Sequence, residues 1–228
     1  MENYQLLQDR IYSILKRKIL SGGLQPGIIY SETKTAAELG VSKTPVKAAI
    51  LRLSQDDFVD IIPSRGFRLR QMTQEDVIET YHVRTAIEGY CAALLSQKRD
   101  TEEGKHTILQ LKELVNELIE FTDELKNTSN QEELIVNILE NNANFHRVIL
   151  EFSGSKKLLS IFHSCSTSIL KSTSENFLTS PRMEIICSEH QKILDAICSG
   201  DEIACQRCIQ QHMRSSCDHN LQIYNQNG

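Results

Sequence analysis

The sequence predicts a mainly α-helical protein in two parts. Residues 1–72 form three short helices and a β-hairpin, and residues 73–228 form an all-α antiparallel helical bundle. Three observations support this division. Apolar residues recur at helical spacing along most of the chain, two β-like runs flank a turn before residue 72, and no β-pattern follows it.

The first two helices are bounded by clear start and stop signals. Residues 5–20, "QLLQDRIYSILKRKIL", carry apolar side chains at helical spacing, and the glycines and proline of "SGGLQPG" end this helix. A second, short helix fits "SETKTAAELG", where Ser31 is a suitable N-cap and Gly40 a suitable terminator.

A third helix and a hairpin follow within residues 40–69. The predicted buried stripe of the helix consists of Val46, Ala49, Ile50 and Leu53. Its start lies between Ser42 and Thr44, because Pro45 disfavours helical geometry in the preceding residue. Beyond the helix, "FVDII" and "FRLRQ" flank "PSRG", which predicts a hairpin with Arg65 and Gly66 at its tip.

The order helix, helix, helix, hairpin is typical of a winged helix-turn-helix, whose third helix enters the DNA major groove. Lys43, Thr44 and Lys47 point away from the apolar stripe, towards phosphates or base edges. Charge agrees with this interpretation, since residues 1–72 hold 11 Lys and Arg against 7 Asp and Glu, whereas the whole chain has a net charge of -5. The alternative is a solvated helix face beside an ordinary surface hairpin.

Composition limits the class of protein. No apolar run approaches the roughly 18 residues of a membrane span, and no secretory leader follows Met1. The seven cysteines are odd in number and lie mostly in helical patterns, which favours reduced thiols. We therefore expect a cytoplasmic protein without membrane association.

Six helical patterns make up the second part. The first starts with a capping-box-like pair, Thr73 and Asp76, and runs to Gln97. The other five cover residues 103–126, 131–153, 155–174, 182–198 and 201–224. Turn clusters separate them, which predicts an antiparallel bundle of about six helices.

Histidines carry the chemistry of this bundle. Asn142 and His146 are four residues apart and share one helix face, while His190 and His212 lie about ten and twelve residues from the connection near Gly200. At about 1.5 Å per residue, the last two imidazoles reach nearly the same height. Three imidazoles and an amide oxygen suit a divalent transition metal with an open position. The alternative is a set of hydrogen-bonded core or surface histidines.

The N-terminal stretch from "IYSILKRKILSGGLQPG" to "SETKTAAELGVSKTPVKAAILRLSQDDFVDIIPSRGFRL" resembles the DNA-binding domain of GntR-family transcriptional regulators. This resemblance implies a homodimer that binds a palindromic operator in double-stranded DNA. The DNA contacts it implies are Thr33, Lys43, Thr44, Lys47, Arg65 and Gly66. Arginine is usual at Lys43 and Lys47, glutamate at Ala48, and in some members a DNA-contacting arginine at Thr33. These departures keep the DNA-binding role and leave the operator sequence open.

"FHRVILEFSGSKKLL" and "SEHQKILDAICSGDEIACQRCIQQHMRSS" resemble the FCD domain of the FadR subfamily, in its smaller, six-helix, VanR-like variant. The resemblance implies a metal bound by Asn142, His146, His190 and His212, with zinc expected and nickel or manganese as alternatives. It also implies a small carboxylate effector, with Arg84 facing it. Asn142 replaces the usual aspartate, so the metal keeps its full charge and attracts an anion more strongly. The alternative role for Arg84 is a surface pair with Glu88 at i+4.

The sequence thus predicts a ligand-responsive regulator and not an enzyme. A rival hypothesis is a helical hydrolase in which the metal activates water. It lacks an evident general base, because Glu189 is expected to point to a different side of its helix from His190. A third hypothesis is a constitutive DNA-binding protein whose bundle only dimerises.

Overall fold

The computed structural model describes residues 2–20, 23–25, 27–56, 58–70, 73–126, 131–173 and 182–227, without the side chains of residues 2–5, 20, 131–132, 166–173 and 223–227. The chain divides into two compact units, Met1–Met72 and Thr73–Gly228. Two predicted element ends, at residues 71 and 174, lie outside the described residues.

Three helices build the first unit: α1 (Glu2–Leu20), α2 (Glu32–Glu38) and α3 (Lys43–Gln55). Helix α1 packs against α3, and α2 also packs against α3. The buried apolar side chains of this core include Ile11, Leu15, Ile19, Val46, Ala49, Ile50, Leu53, Phe58, Val59 and Phe67. All four residues of the stripe predicted for α3 are among them.

The helix starts follow the local signals in the sequence. Ser31 caps α2, since its hydroxyl accepts a hydrogen bond from the backbone N–H of Lys34 at 3.5 Å. Helix α3 begins at Lys43, inside the predicted window, with Ser42 at the N-cap position and no hydrogen bond from its side chain. Pro45 fits in the first turn of α3 because the N–H that it lacks has no intrahelical partner there.

The hairpin consists of β1 (Val59–Ile62) and β2 (Gly66–Leu69), paired antiparallel. Its tip differs from the prediction. Gly66 does not lie at the tip but opens β2 opposite Ile62, and Ser64 takes the left-handed conformation in the turn, with φ 59°. Arg65 remains in the turn, where its N–H donates to the carbonyl of Ile62 at 3.0 Å.

Gly66 is required by a close approach of the backbone, not by the turn. The chain before α2 pairs with β2, because Tyr30 and Phe67 exchange two backbone hydrogen bonds of 2.7 and 2.9 Å. A Cβ atom on Gly66 would lie 2.0 Å from the carbonyl oxygen of Tyr30, and its φ of 133° is unfavourable for other residues. Glycine therefore lets the hairpin dock on the helical part of its unit.

Six helices form the second unit: α4 (Gln74–Gln97), α5 (Glu102–Leu125), α6 (Gln131–Glu151), α7 (Lys156–Thr173), α8 (Arg182–Ser199) and α9 (Glu202–Asn227). Their ends agree with the predicted ones to within three residues. Thr73 and Asp76 form the predicted capping box at the start of α4. Helix α4 packs against α6, α7, α8 and α9, so it lies at the centre of the bundle. No helix in the described ranges is long and apolar enough to cross a membrane.

We expect Gly66→Ala to destabilise the first unit more than Gly40→Ala. Both glycines have positive φ, so each substitution strains the backbone by about 1 to 3 kcal/mol, but nothing lies within 4 Å of a Cβ on Gly40. The clash with Tyr30 adds to the loss in Gly66→Ala alone. Urea denaturation of both variants measures the difference, and equal losses would contradict the docking role of Gly66.

Candidate functional site

The polar residues at the start of α3 are exposed. Lys43, Thr44 and Lys47 lie in its first turns with their side chains in solvent, and Arg65 is exposed in the hairpin turn. Lys43 Nζ lies 3.3 Å from the carboxylate of Glu32 in α2, an exposed ion pair. The start of α3 is thus a solvent-facing cationic surface.

The two remaining residues predicted to contact DNA have different surroundings. Thr33 is exposed in the first turn of α2. Gly66 is only half-exposed, and its position beside Tyr30 gives it a structural reason to be glycine.

Three histidines meet inside the helical unit. His146 from α6, His190 from α8 and His212 from α9 are all buried, with exposed fractions of 0, 0 and 3%. The centroids of their rings are 5.0 Å apart in every pair, and one nitrogen from each lies within 4.8 Å of those of the other two. Among the described residues this is the one group of three His, Cys, Asp or Glu side chains placed to hold a metal ion. The structure therefore brings His146 together with His190 and His212, the two imidazoles that the sequence placed at one level.

The histidines are neutral at pH 7. Burial lowers the pKa of His146 and His190 well below the ordinary value. Burial also lowers the pKa of His212, although its hydrogen bond to Glu189 partly offsets the effect. Neutral imidazole is the form that binds metals, so no proton has to be removed first.

The hydrogen bonding of His146 and His212 is incomplete. His212 Nδ1 donates to Glu189 Oε2 at 2.7 Å, which leaves a lone pair on His212 Nε2. This atom faces His146 Nε2 at 3.2 Å, while His146 Nδ1 faces Glu88 Oε2 at 2.6 Å. If the proton of neutral His146 is on Nδ1, the lone pairs of the two Nε2 atoms face each other. If it is on Nε2, the lone pair of Nδ1 faces the ionised carboxylate of Glu88. Either tautomer therefore leaves two hydrogen-bond acceptors in contact. A cation at the two Nε2 atoms removes this conflict.

Two further buried groups lack hydrogen-bond partners among the described residues. Both ring nitrogens of His190 are buried without a hydrogen bond there, although the ring stacks on Phe145 with centroids 4.0 Å apart. Asn142 lies one turn before His146, and its Oδ1 is also buried without a partner. Leaving such atoms unpaired is unfavourable by about 1 to 3 kcal/mol each.

These residues fit a divalent metal ion. Two nitrogens bound tetrahedrally to one zinc ion lie about 3.3 Å apart, close to the 3.2 Å between the Nε2 atoms of His146 and His212. His190 and Asn142 supply unpaired donor atoms of the right type. Spacing along antiparallel helices indicated the common height of His190 and His212, whereas Asn142 and His146 were expected at the site from the family resemblance.

Glu189 was expected to point to a different side of α8 from His190, and so to lie apart from the proposed metal. Its side chain instead reaches the site from that side, because it hydrogen-bonds His212 on α9. Arg182 holds the same carboxylate through two contacts of 3.0 and 3.3 Å, and donates further hydrogen bonds to the hydroxyls of Ser215 and Ser216. Burial alone would raise the pKa of Glu189, but His212 and Arg182 lower it. Glu189 is therefore ionised and orients His212.

Glu88 was missed as a site residue. It is fully buried on α4, where Arg84 Nε donates to its Oε1 at 2.6 Å. Burial raises the pKa of Glu88, and the charge of Arg84 opposes this rise. The close contact of Glu88 Oε2 with His146 Nδ1 lacks the alignment of a hydrogen bond. The i, i+4 spacing of Arg84 and Glu88 was evident in the sequence, but the burial of the pair was not.

Arg84 is buried, not on the surface. Its exposed fraction is 5%, and the guanidinium lies 5.5 Å from the ring centroid of Phe162 and 6.0 Å from that of Tyr81. The pair with Glu88 uses only Nε, and within the described part of the chain the two terminal nitrogens have no hydrogen-bond partner. The surface interpretation of Arg84 is therefore wrong, whereas its pairing with Glu88 is present.

Comparisons with known proteins agree on one family. The sequence profile of the FCD domain matches residues 79–215, and that of the gntR family of bacterial regulatory proteins matches residues 7–69. The uncharacterized HTH-type transcriptional regulator YdhC of Bacillus subtilis is 26% identical over 210 residues, which cover 92% of this chain and 89% of that protein. The HTH-type transcriptional repressor RspR of Escherichia coli is 21% identical over 223 residues, covering 98% and 92%.

A solved structure has the same fold. E. coli McbR/YncC superposes with a TM-score of 0.75 at 20% identity, covering 96% of this chain and 98% of that one. At this identity the likeness concerns the fold alone, and it confirms the predicted winged helix-turn-helix followed by a helical bundle.

We expect Arg182→Met to lower the free energy of unfolding by about 3 to 5 kcal/mol, because it leaves the carboxylate of Glu189 largely buried without its cation. The matched control is Arg147→Met, which breaks a half-exposed i, i+4 pair with Glu151. That control should change stability by only about 0.5 kcal/mol. Urea denaturation followed by circular dichroism measures both, and similar losses would contradict the role given to Arg182.

Proposed function

The chain belongs to the GntR family of bacterial transcriptional regulators and carries an FCD domain, and on this premise we propose that its helical unit senses a small carboxylate through a bound divalent metal. The observation that carries the proposal is the convergence of three neutral, buried imidazoles whose hydrogen bonding is incomplete. DNA binding by the first unit is the property that this sensing would control.

The proposed metal ligands are His146, His190, His212 and the amide oxygen of Asn142. Zinc is the proposed ion, with nickel and manganese as alternatives, because imidazole nitrogen suits all of these ions better than calcium or magnesium. When bound, the ion would supply a Lewis-acidic position for a carboxylate oxygen. Glu189 keeps His212 oriented for this role, with Arg182 behind it.

The charges around the histidines favour an anionic ligand. Two buried arginines, Arg84 and Arg182, balance the two carboxylates of Glu88 and Glu189. The imidazoles are neutral, and Asn142 stands where an aspartate would add a negative charge. The charge of a divalent ion would therefore not be neutralised by the protein, and a small anion is the ligand that would neutralise it.

Arg84 is the proposed clamp for the effector. Its two terminal nitrogens are in the geometry that binds a carboxylate bidentately. Phe162 and Tyr81 flank the guanidinium and limit the access of water to it. Low polarity on these sides strengthens the contact between the arginine and an anion.

Two first units in a homodimer would place two copies of α3 on a palindromic operator. Thr33, Lys43, Thr44, Lys47 and Arg65 are the proposed DNA contacts, and Gly66 shapes the hairpin that presents Arg65. The protein would act in the cytoplasm. Effector binding would shift the population between DNA-competent and incompetent arrangements, which requires different effector affinities in the two.

The hydrolase alternative receives less support. A metal-dependent hydrolase needs a general base beside its water. The two nearby carboxylates, Glu88 and Glu189, are each paired with an arginine and a histidine. We therefore propose no enzymatic activity.

The metal assignment predicts about one transition-metal ion per chain in protein purified without chelators. His190→Ala should reduce metal affinity by more than the roughly 10- to 100-fold typical of a lost outer partner, because it removes a ligand. His106→Ala, which alters an exposed histidine on α5, is the control and should bind normally. Elemental analysis and competitive titration measure both variants. A wild-type protein that stays metal-free after dialysis against zinc, nickel and manganese would refute the assignment.

The DNA surface predicts a salt effect for Lys47→Ala. Losing one phosphate contact should weaken binding to duplexes of any sequence. It should also make the slope of the logarithm of the binding constant against the logarithm of the salt concentration shallower by about 1. Lys105→Ala removes the same charge from an exposed pair on α5 and should leave this slope unchanged. Fluorescence anisotropy at several salt concentrations gives the slopes, and identical behaviour of both variants would argue against the α3 surface.

A further inference from the structure

Two similar chains of contacts meet at the histidines. One runs from Arg84 through Glu88 to His146, and the other from Arg182 through Glu189 to His212. Each has a buried arginine, a carboxylate and an imidazole, and the two join where the Nε2 atoms of the imidazoles lie 3.2 Å apart. The carboxylates thus occupy equivalent places behind two proposed metal ligands.

The two chains differ at their arginines. Arg182 uses both terminal nitrogens, since each contacts Glu189 and one also reaches Ser215 while the other reaches Ser216. Arg84 uses only Nε, and among the described residues its terminal nitrogens have no hydrogen-bond partner. Arg182 is therefore fixed, whereas Arg84 is held at one atom and has capacity for another anion.

They differ again at their imidazoles. Glu189 and His212 form an aligned hydrogen bond of 2.7 Å. Glu88 Oε2 lies even closer to His146 Nδ1, at 2.6 Å, but neither atom has a hydrogen-bond partner. The carboxylate of Glu88 is thus aligned for a hydrogen bond with Arg84 and not with His146. A small rotation of this carboxylate would align it with His146 instead.

We propose that Glu88 is a positioning residue that couples the two ligands: an effector carboxylate that takes Arg84 releases Glu88 to hydrogen-bond His146 and so tightens metal binding. This inference rests on the proposed function, because it assumes a metal at the histidines and an anion at Arg84. It assigns the coupling to this chain's own residues and not only to direct contact between the effector and the metal. Glu189 has no part in it, because both terminal nitrogens of Arg182 already have hydrogen-bond partners.

The test compares Glu88→Gln with Glu189→Gln, using zinc as the metal and acetate as the probe carboxylate, against chloride at equal ionic strength. Without acetate, Glu189→Gln should bind zinc about 10- to 100-fold more weakly, since it loses the carboxylate that is hydrogen-bonded to His212, whereas Glu88→Gln should change zinc affinity much less, since Glu88 is then aligned with Arg84. Acetate should raise zinc affinity in the wild type and in Glu189→Gln. This gain should be smaller in Glu88→Gln, where only direct contact between acetate and zinc can supply it.

A second readout uses the metal-free proteins. Removing the charge of Glu88 frees Arg84 from its competing anion, so acetate should bind Glu88→Gln more tightly than the wild type, with a larger rise in melting temperature. Glu189→Gln should respond to acetate as the wild type does. A merely structural role for Glu88 would not produce a smaller acetate-dependent gain in zinc affinity together with tighter acetate binding.

Glu88→Gln leaves Arg84 buried without its anion and can fail to fold, so the double variant Arg84→Gln/Glu88→Gln is made as well. It is charge-balanced, and it should lose acetate binding without metal and show the same reduced gain in zinc affinity. A gain as large as that of the wild type in either Glu88 variant, or no gain in the wild type, would overturn the inference while leaving the metal site intact. A wild type that binds no zinc would overturn both the inference and the metal proposal.

Discussion

Burial of ionised side chains at the centre of the helical unit is the constraint on which its site depends. Glu88 is fully buried and Arg84 nearly so, and an isolated charge at such depth is strongly unfavourable. The two charges therefore pair with each other along α4. Arg182 pairs with Glu189 along α8 in the same way, and two serine hydroxyls tie it to α9. Each carboxylate also contacts a histidine on another helix, so these buried charges join the helices at the site.

The charge balance of this core has a chemical consequence. The charges of the two arginines and the two carboxylates cancel, and burial keeps the imidazoles neutral. The site therefore holds several nitrogen lone pairs but no net charge. Such a site binds a cation through neutral donors and leaves the charge of the ion to attract an anion. Asn142 strengthens this tendency, since an aspartate there would already neutralise part of the charge. The proposed metal and effector would thereby be linked by electrostatics, without a conformational change.

The first unit depends on a backbone contact instead. The paired hydrogen bonds between Tyr30 and Phe67 join the hairpin to the chain before α2, and only glycine at position 66 allows this approach. Sequence reasoning attributed Gly66 to the turn because glycine is frequent there. The turn instead uses Ser64. Contacts between segments that are far apart in sequence leave no local pattern, so this error could not be avoided from the sequence.

The order and bounds of the helices could be predicted from the sequence, because caps such as Thr73 and apolar spacing act within a few residues. The common level of His190 and His212 could be predicted as well, since a short connection between antiparallel helices converts sequence separation into height. The surroundings of the imidazoles could be seen only in the folded molecule. Glu189 and Glu88 reach them across helix interfaces, and such contacts depend on the rotation of each helix and on side-chain rotamers, which sequence spacing does not specify.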